Sequence, residues 1–174
     1  MSIKQNIVFS LVQSRRMLEG MIGAMKTRED WLYQAHPKAN HPLWVVGHLG
    51  LADNMFLTRL DAEAGDKKEG WDEVFWFGSE IHADSSKYPD TEEVLAYCRD
   101  RREKLMAKIE TLTDEFLYSE TPDEGMFSDA PNMAQMLLFI SYHEGIHSGQ
   151  FSIAHRGLGY EPMYKPNPEV AASS

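Results

Sequence analysis

The sequence predicts an all-α four-helix bundle, and three features carry the prediction. Apolar residues return every three or four positions in four separate stretches, strand-like alternation is nearly absent, and long connections divide the stretches. The spacing predicts helices over about residues 3–25, 41–63, 90–112 and 131–157, with an extended tail after 159.

The first helix carries Ile7, Leu11, Leu18, Met21 and Met25 along one stripe and shows no strong cap signal. The second follows Asn40, a favoured cap residue, and Pro42 is tolerated in its first turn. Val45, His48, Ala52 and Met55 share one face, with Leu49, Phe56 and Leu60 beside it, so this helix is expected to be buried over a wide arc. The third opens on Asp90 with Glu93 in capping-box spacing, and its seam reads Leu95, Cys98, Arg102, Leu105, Ile109 and Leu112. The fourth begins near Pro131 and stops at Gly157 or Gly159; its inner face holds Met136, Ile140, His143, His147 and Ala154. Between the second and third helices, residues 64–88 are too many for a structureless loop. They contain Trp71, Phe75, Trp76 and Phe77, and are expected to pack as a wall or lid over one end of the bundle.

The 174 residues suit one domain, and 43% hydrophobic with 25% charged residues is a globular composition. Seventeen Lys and Arg against 27 Asp and Glu leave a net charge of −10, which argues against nucleic acid as a partner. A single cysteine, Cys98, can form neither an internal disulfide nor a thiolate cluster. No apolar run approaches the ~20 residues of a membrane span and no signal peptide is visible, so a cytoplasmic chain without a membrane partner is expected.

The strongest chemical signal is His143-Glu144-Gly145-Ile146-His147. Helix positions four apart lie about 40° from one another, one turn above the other, so both imidazoles can reach one ion. His48 lies in the apolar face of the second helix, where an imidazole without a partner is costly to bury. Three neutral imidazoles from two helices leave a divalent ion an open position, the arrangement of a catalytic site. Such a donor set suits zinc or nickel first, and iron or cobalt after them. The remaining histidines are expected elsewhere: His36, His41 and His82 as solvated loop residues, and His155 as a partial cation at the end of the fourth helix. The same string matches the zinc-protease motif H-E-x-x-H, but the extended motif needs glycine at 150 and histidine at 153, where this chain has Gln150 and Ile153. A protease is not expected.

The chain resembles the DinB/YfiT-like family of metalloenzymes. The resemblance is carried by Val45-Val46-Gly47-His48-Leu49, by residues 143–150 with their H-x-G-Q ending, and by Thr113-Asp114-Glu115-Phe116-Leu117 after the third helix. It implies an up-down-down-up bundle, a divalent ion on His48, His143 and His147, and a homodimer. It also implies a small-molecule substrate, with transferases or isomerases that use low-molecular-weight thiols such as bacillithiol or mycothiol, or hydrolases, among the relatives.

A divalent ion activates either a thiol or a water molecule. For thiol transfer, Arg102 on the inward seam is the candidate cation for a charged thiol cofactor; otherwise it pairs with an acidic residue of the first helix or reaches solvent. For hydrolysis, Glu144 at the edge of the inner face is the candidate catalytic base; otherwise it holds a neighbouring group or points to solvent. Gln150, one turn after His147, is placed to hydrogen-bond that ligand or to pack between helices. Cys98 reads as a small buried apolar group. The leading expectation is thus a metal-dependent thiol transferase, with a hydrolase and a non-catalytic metal-binding protein as alternatives.

Overall fold

The computed structural model describes residues 2–121, 127 and 130–163. It is all-helical: α1 (Ile3–Ile22), α2 (Arg28–Trp31), α3 (Pro42–Leu60), α4 (Trp71–Phe75), α5 (Thr91–Thr111), α6 (Asp114–Leu117) and α7 (Met133–Gly157), with no strand among the described residues. From residue 164 on, the expected extended tail lies outside the described residues.

Local chemistry explains most helix ends. Contrary to expectation, α1 has a full capping box: the Gln5 N–H donates to Ser2 Oγ, and the Ser2 N–H donates to Gln5 Oε1. It ends at Ile22, short of Met25. The cap of α3 is His41 and not Asn40; the Trp44 N–H donates to His41 Nδ1 at 3.0 Å, and His41 is fully buried, not solvated. Asp90 caps α5 by accepting from the Glu92 N–H. Asn132 caps α7, which therefore starts at Met133, after Pro131. At its far end Gly159 has φ +85°, the Tyr160 N–H donates to the His155 carbonyl, and the Gly159 N–H donates to the Arg156 carbonyl. These are the two bonds of a Schellman stop, which needs the left-handed conformation that glycine adopts without penalty.

Cross-helix contacts set the directions of the four long helices. On α3 and α5, Asp53 meets Arg102 and Asp61 meets Lys108, in parallel order. Lys4 donates to the carbonyls of Glu110 and Leu112 while Glu19 pairs with Arg99, so α1 and α5 are antiparallel. Trp44 lies by His147 and His48 by His143, so α3 and α7 are antiparallel too. The topology is up-down-down-up.

Two apolar clusters fill the bundle. One gathers Leu18, Leu43, Val45, Leu49, Val94 and Phe151; the other gathers Ile7, Leu11, Phe56, Leu105, Ile109 and Leu137. On each long helix a polar residue falls between the two apolar stretches: Arg15 on α1, Asp53 on α3, Arg102 on α5 and Glu144 on α7. A charged layer therefore crosses the core. The long second connection packs against the first cluster, with Trp71 and Phe75 buried, while Phe77 is 83% exposed.

Candidate metal centre

Every residue of α3 from Pro42 to Asp53 is buried, which brings His48 inside. Its ring is positioned from two sides. The Nδ1–H donates to the Phe75 carbonyl at 2.9 Å, and the Trp44 indole stacks on the imidazole with centroids 4.7 Å apart and planes 9° from parallel. Gly47 makes this possible, because a Cβ there would lie 2.4 Å from the Phe75 ring. Only a residue without a side chain lets α4 come so close to α3.

From α7, His143 and His147 present their Nε2 atoms on the same side. His143 Nε2 lies 3.1 Å from His48 Nε2 and 3.1 Å from His147 Nε2. The three ligating atoms all fall within 4.8 Å of one another. His147 Nδ1–H donates to Gln150 Oε1 at 2.9 Å, and that oxygen also accepts from Asn40 Nδ2 at 3.1 Å. With the Nδ1 protons of His48 and His147 engaged outward, the Nε2 lone pairs of both rings point at the shared centre. Burial first, and then the neighbouring imidazoles, holds His48 down to about pKa 3. Burial, then His147, holds His143 down to about 4. Burial also lowers His147. All three rings are neutral at pH 7, the form in which imidazole binds a metal.

The donor set fits a divalent ion. Nitrogen ligands 2.0–2.1 Å from a tetrahedral ion stand roughly 3.3 Å apart, close to the 3.1 Å separations found here. Converging lone pairs repel one another unless a proton or a cation lies between them. His48, His143 and His147 could therefore hold a metal ion, and they are the metal-ligating cluster found among the described residues.

The imidazoles open onto a pocket of about 580 Å³ whose walls include Trp44, Met55, Trp76, Phe77, Phe139 and Ile146. Its polar lining consists of the three histidines, Asn40, Ser79, Gln150 and Lys38, and no carboxylate lines it among the described residues. The aromatic cluster of the long connection is divided: Trp71 and Phe75 are core, whereas Trp76 and Phe77 form pocket wall.

Two candidate residues stand elsewhere. Glu144 is fully buried, does not line the pocket, and is held by Ser14, Arg15 and Arg102 in the charged layer. One residue of helix turns it about 100° from His143, toward α1 and α5. Its carboxylate oxygens are taken up by the Ser14 hydroxyl and two guanidinium groups, and it does not reach the pocket. Arg102 is also outside the pocket. It makes two 2.9 Å bonds to Asp53 and approaches Glu144 at 3.1 Å, so its main partner comes from α3 and not from the first helix. Gln150, in contrast, lines the pocket and bonds His147.

His155 differs from expectation as well. It is buried against Tyr160, with ring centroids 5.0 Å apart, and burial followed by the neighbouring Arg156 lowers its pKa, so it is neutral and not a partial cation. Cys98 is buried, and burial raises its thiol pKa, which keeps it protonated. Among the groups the sequence did not single out, the Phe75 carbonyl and the Trp44 ring carry no sequence signal for their role. Asn40 was visible only as a cap residue. No described helix is long and apolar enough to cross a membrane.

None of the curated proteins compared with the chain matches it. A family model does: residues 10–151, a span that includes His48, His143 and His147, match the DinB superfamily, and the chain belongs to that superfamily.

Proposed function

We propose that the protein is a metal-dependent transferase that activates a low-molecular-weight thiol, of the bacillithiol or mycothiol type, for attack on an electrophilic small molecule. The observation that carries this reading is a trio of neutral imidazoles opening onto a 580 Å³ aromatic-walled pocket that no carboxylate lines among the described residues. When bound, a divalent ion, zinc or nickel before iron or cobalt, supplies the positive charge that lowers a thiol pKa from its ordinary value of about 8.5 toward neutrality.

The chain's own groups do the rest. The Phe75 carbonyl and Gln150 Oε1 hold the outward Nδ1 protons, which keeps the inward nitrogens unprotonated. Trp44, Trp76 and Phe139 keep water from the reacting atoms. In the transfer, the sulfur forms a bond to the electrophilic carbon as the bond to the leaving group breaks. The electron pair departs with that group, and the thiol proton passes to solvent. Thiol use is favoured over hydrolysis by the position of Glu144: among the described residues no carboxylate stands where a water molecule would lose its proton. A homodimer belongs to the same reading and is checked by mass in solution.

The test starts from metal content. Wild-type protein should carry about one equivalent of a transition metal, and His143→Ala should carry far less; absence of metal from both proteins removes the site. The metal-loaded wild type should then gain thermal stability from low-molecular-weight thiols and none from their alcohol counterparts. Equal response to both would leave the hydrolase and the non-catalytic binder as the better readings.

A further inference from the structure

One end of the pocket has a chemistry that the thiol reading does not use. Lys38, Asn40 and Gln150 line it together, and the bond from His147 to Gln150 places this amide beside the imidazoles. Gln150 Oε1 accepts from both His147 Nδ1–H and Asn40 Nδ2, which settles the orientation of the side chain. Its NH₂ group therefore faces away from those two donors, and it donates to no partner among the described residues. The Lys38 ammonium likewise pairs with no carboxylate among the described residues. Among the described residues, a chain with a net charge of −10 thus lines its pocket with a cation, with an amide whose NH₂ has no partner, and with no acid. Most of the remaining lining is aromatic or aliphatic.

The geometry points to a carboxylate-bearing ligand with an apolar body, its anionic group received by Lys38 and Gln150 and its body lying against Trp44, Trp76 and Phe139. The inference rests on the pocket being the substrate site, and it narrows the substrate class within that reading. An ammonium and an amide N–H are complementary to a carboxylate, whereas an uncharged polar group gains little from the ammonium. The carboxylate belongs either to the thiol or to the electrophile, because both would share the pocket.

Isothermal titration with two matched pairs of probes tests this and separates the sources. Phenylacetate against phenylacetamide reports on an electrophile-like ligand; 3-mercaptopropionate against 3-mercaptopropionamide reports on the thiol. Each pair is titrated into zinc-loaded and metal-stripped protein as wild type, Lys38→Met and Lys38→Arg. Lys38 is exposed, so neither substitution threatens the fold. In at least one pair the carboxylate should bind wild type about fivefold more tightly than the amide. The preference should vanish in Lys38→Met and return in Lys38→Arg, and the pair that shows it names the source. Equal binding within both pairs overturns the inference, as does no binding of any probe at millimolar concentration. A preference that survives Lys38→Met and disappears on stripping the metal also overturns it, since the ion would then be the receptor. A Lys38-dependent preference in protein that takes up no zinc would uphold the carboxylate site while removing the metal reading.

Discussion

Asp53 on α3 grips Arg102 on α5 through two hydrogen bonds of 2.9 Å, and both side chains are buried. Arg15 adds a third bond to Asp53 at 2.9 Å, and Asp53 and Glu144 together balance the two guanidinium charges. Removing one partner from such a layer leaves a buried charge without compensation, which typically costs about 3–5 kcal/mol. Asp53→Ala should therefore lower stability by that amount in chemical denaturation. A loss under about 1 kcal/mol would mean that water reaches the layer.

The contact between Gly47 and Phe75 gives a second prediction. A methyl group at 47 would lie 2.4 Å from the ring, so Gly47→Ala must push α4 away from α3. Overpacking of this kind costs about 1–3 kcal/mol. It also moves the Phe75 carbonyl that holds His48 Nδ1. The variant should fold, melt earlier and bind metal more weakly in a chelator competition. Unchanged metal affinity would show that the carbonyl does not orient the ring.

Gln150→Leu removes the acceptor of the His147 Nδ1 proton while keeping similar bulk. Loss of such an outer partner weakens metal binding by about 10- to 100-fold in comparable sites. The same competition assay reads it, and a melting temperature close to wild type in metal-free protein separates an affinity defect from a folding one.

His41 predicts a pH effect. Burial, with a smaller contribution from Arg28, depresses its pKa from 6.5 to about 4. Between those two values the unfolded chain binds more protons than the folded one. This contribution to stability is therefore complete above pH 6.5 and is lost as the pH falls toward 4, amounting to about 3 kcal/mol. His41→Asn keeps a side chain able to cap α3 and removes the titration. Denaturation free energies at pH 7 and pH 4.5 should differ by less in the variant than in wild type; equal differences would mean that His41 is not the group involved.

The four long helices were legible because each spans five or more turns and repeats its apolar pattern several times. Helices α2, α4 and α6 have only four or five residues, too few for periodicity to stand out. Ser2-x-x-Gln5 at the start of α1 has the spacing of a capping box, a signal present in the sequence itself. His41 was hidden for another reason: it sits among Pro37, Asn40 and Pro42, which look like an exposed turn, and histidine is not a preferred cap. The spacing of His143 and His147 and the apolar setting of His48 pointed to three rings that do converge. Glu144 and Arg102 were visible as charges near the inner face, but their partners depend on which helices are neighbours. A one-helix pattern does not contain that information.

The charged layer also bears on how the bundle aligns. All four long helices cross it, each with apolar residues above and below. Sliding any one of them by a turn, about 5.4 Å along its axis, would drive an ionised group into oil-like surroundings and strand its counterions. Only one vertical setting of the helices satisfies every charge, and in that setting His48 stands level with His143 and His147.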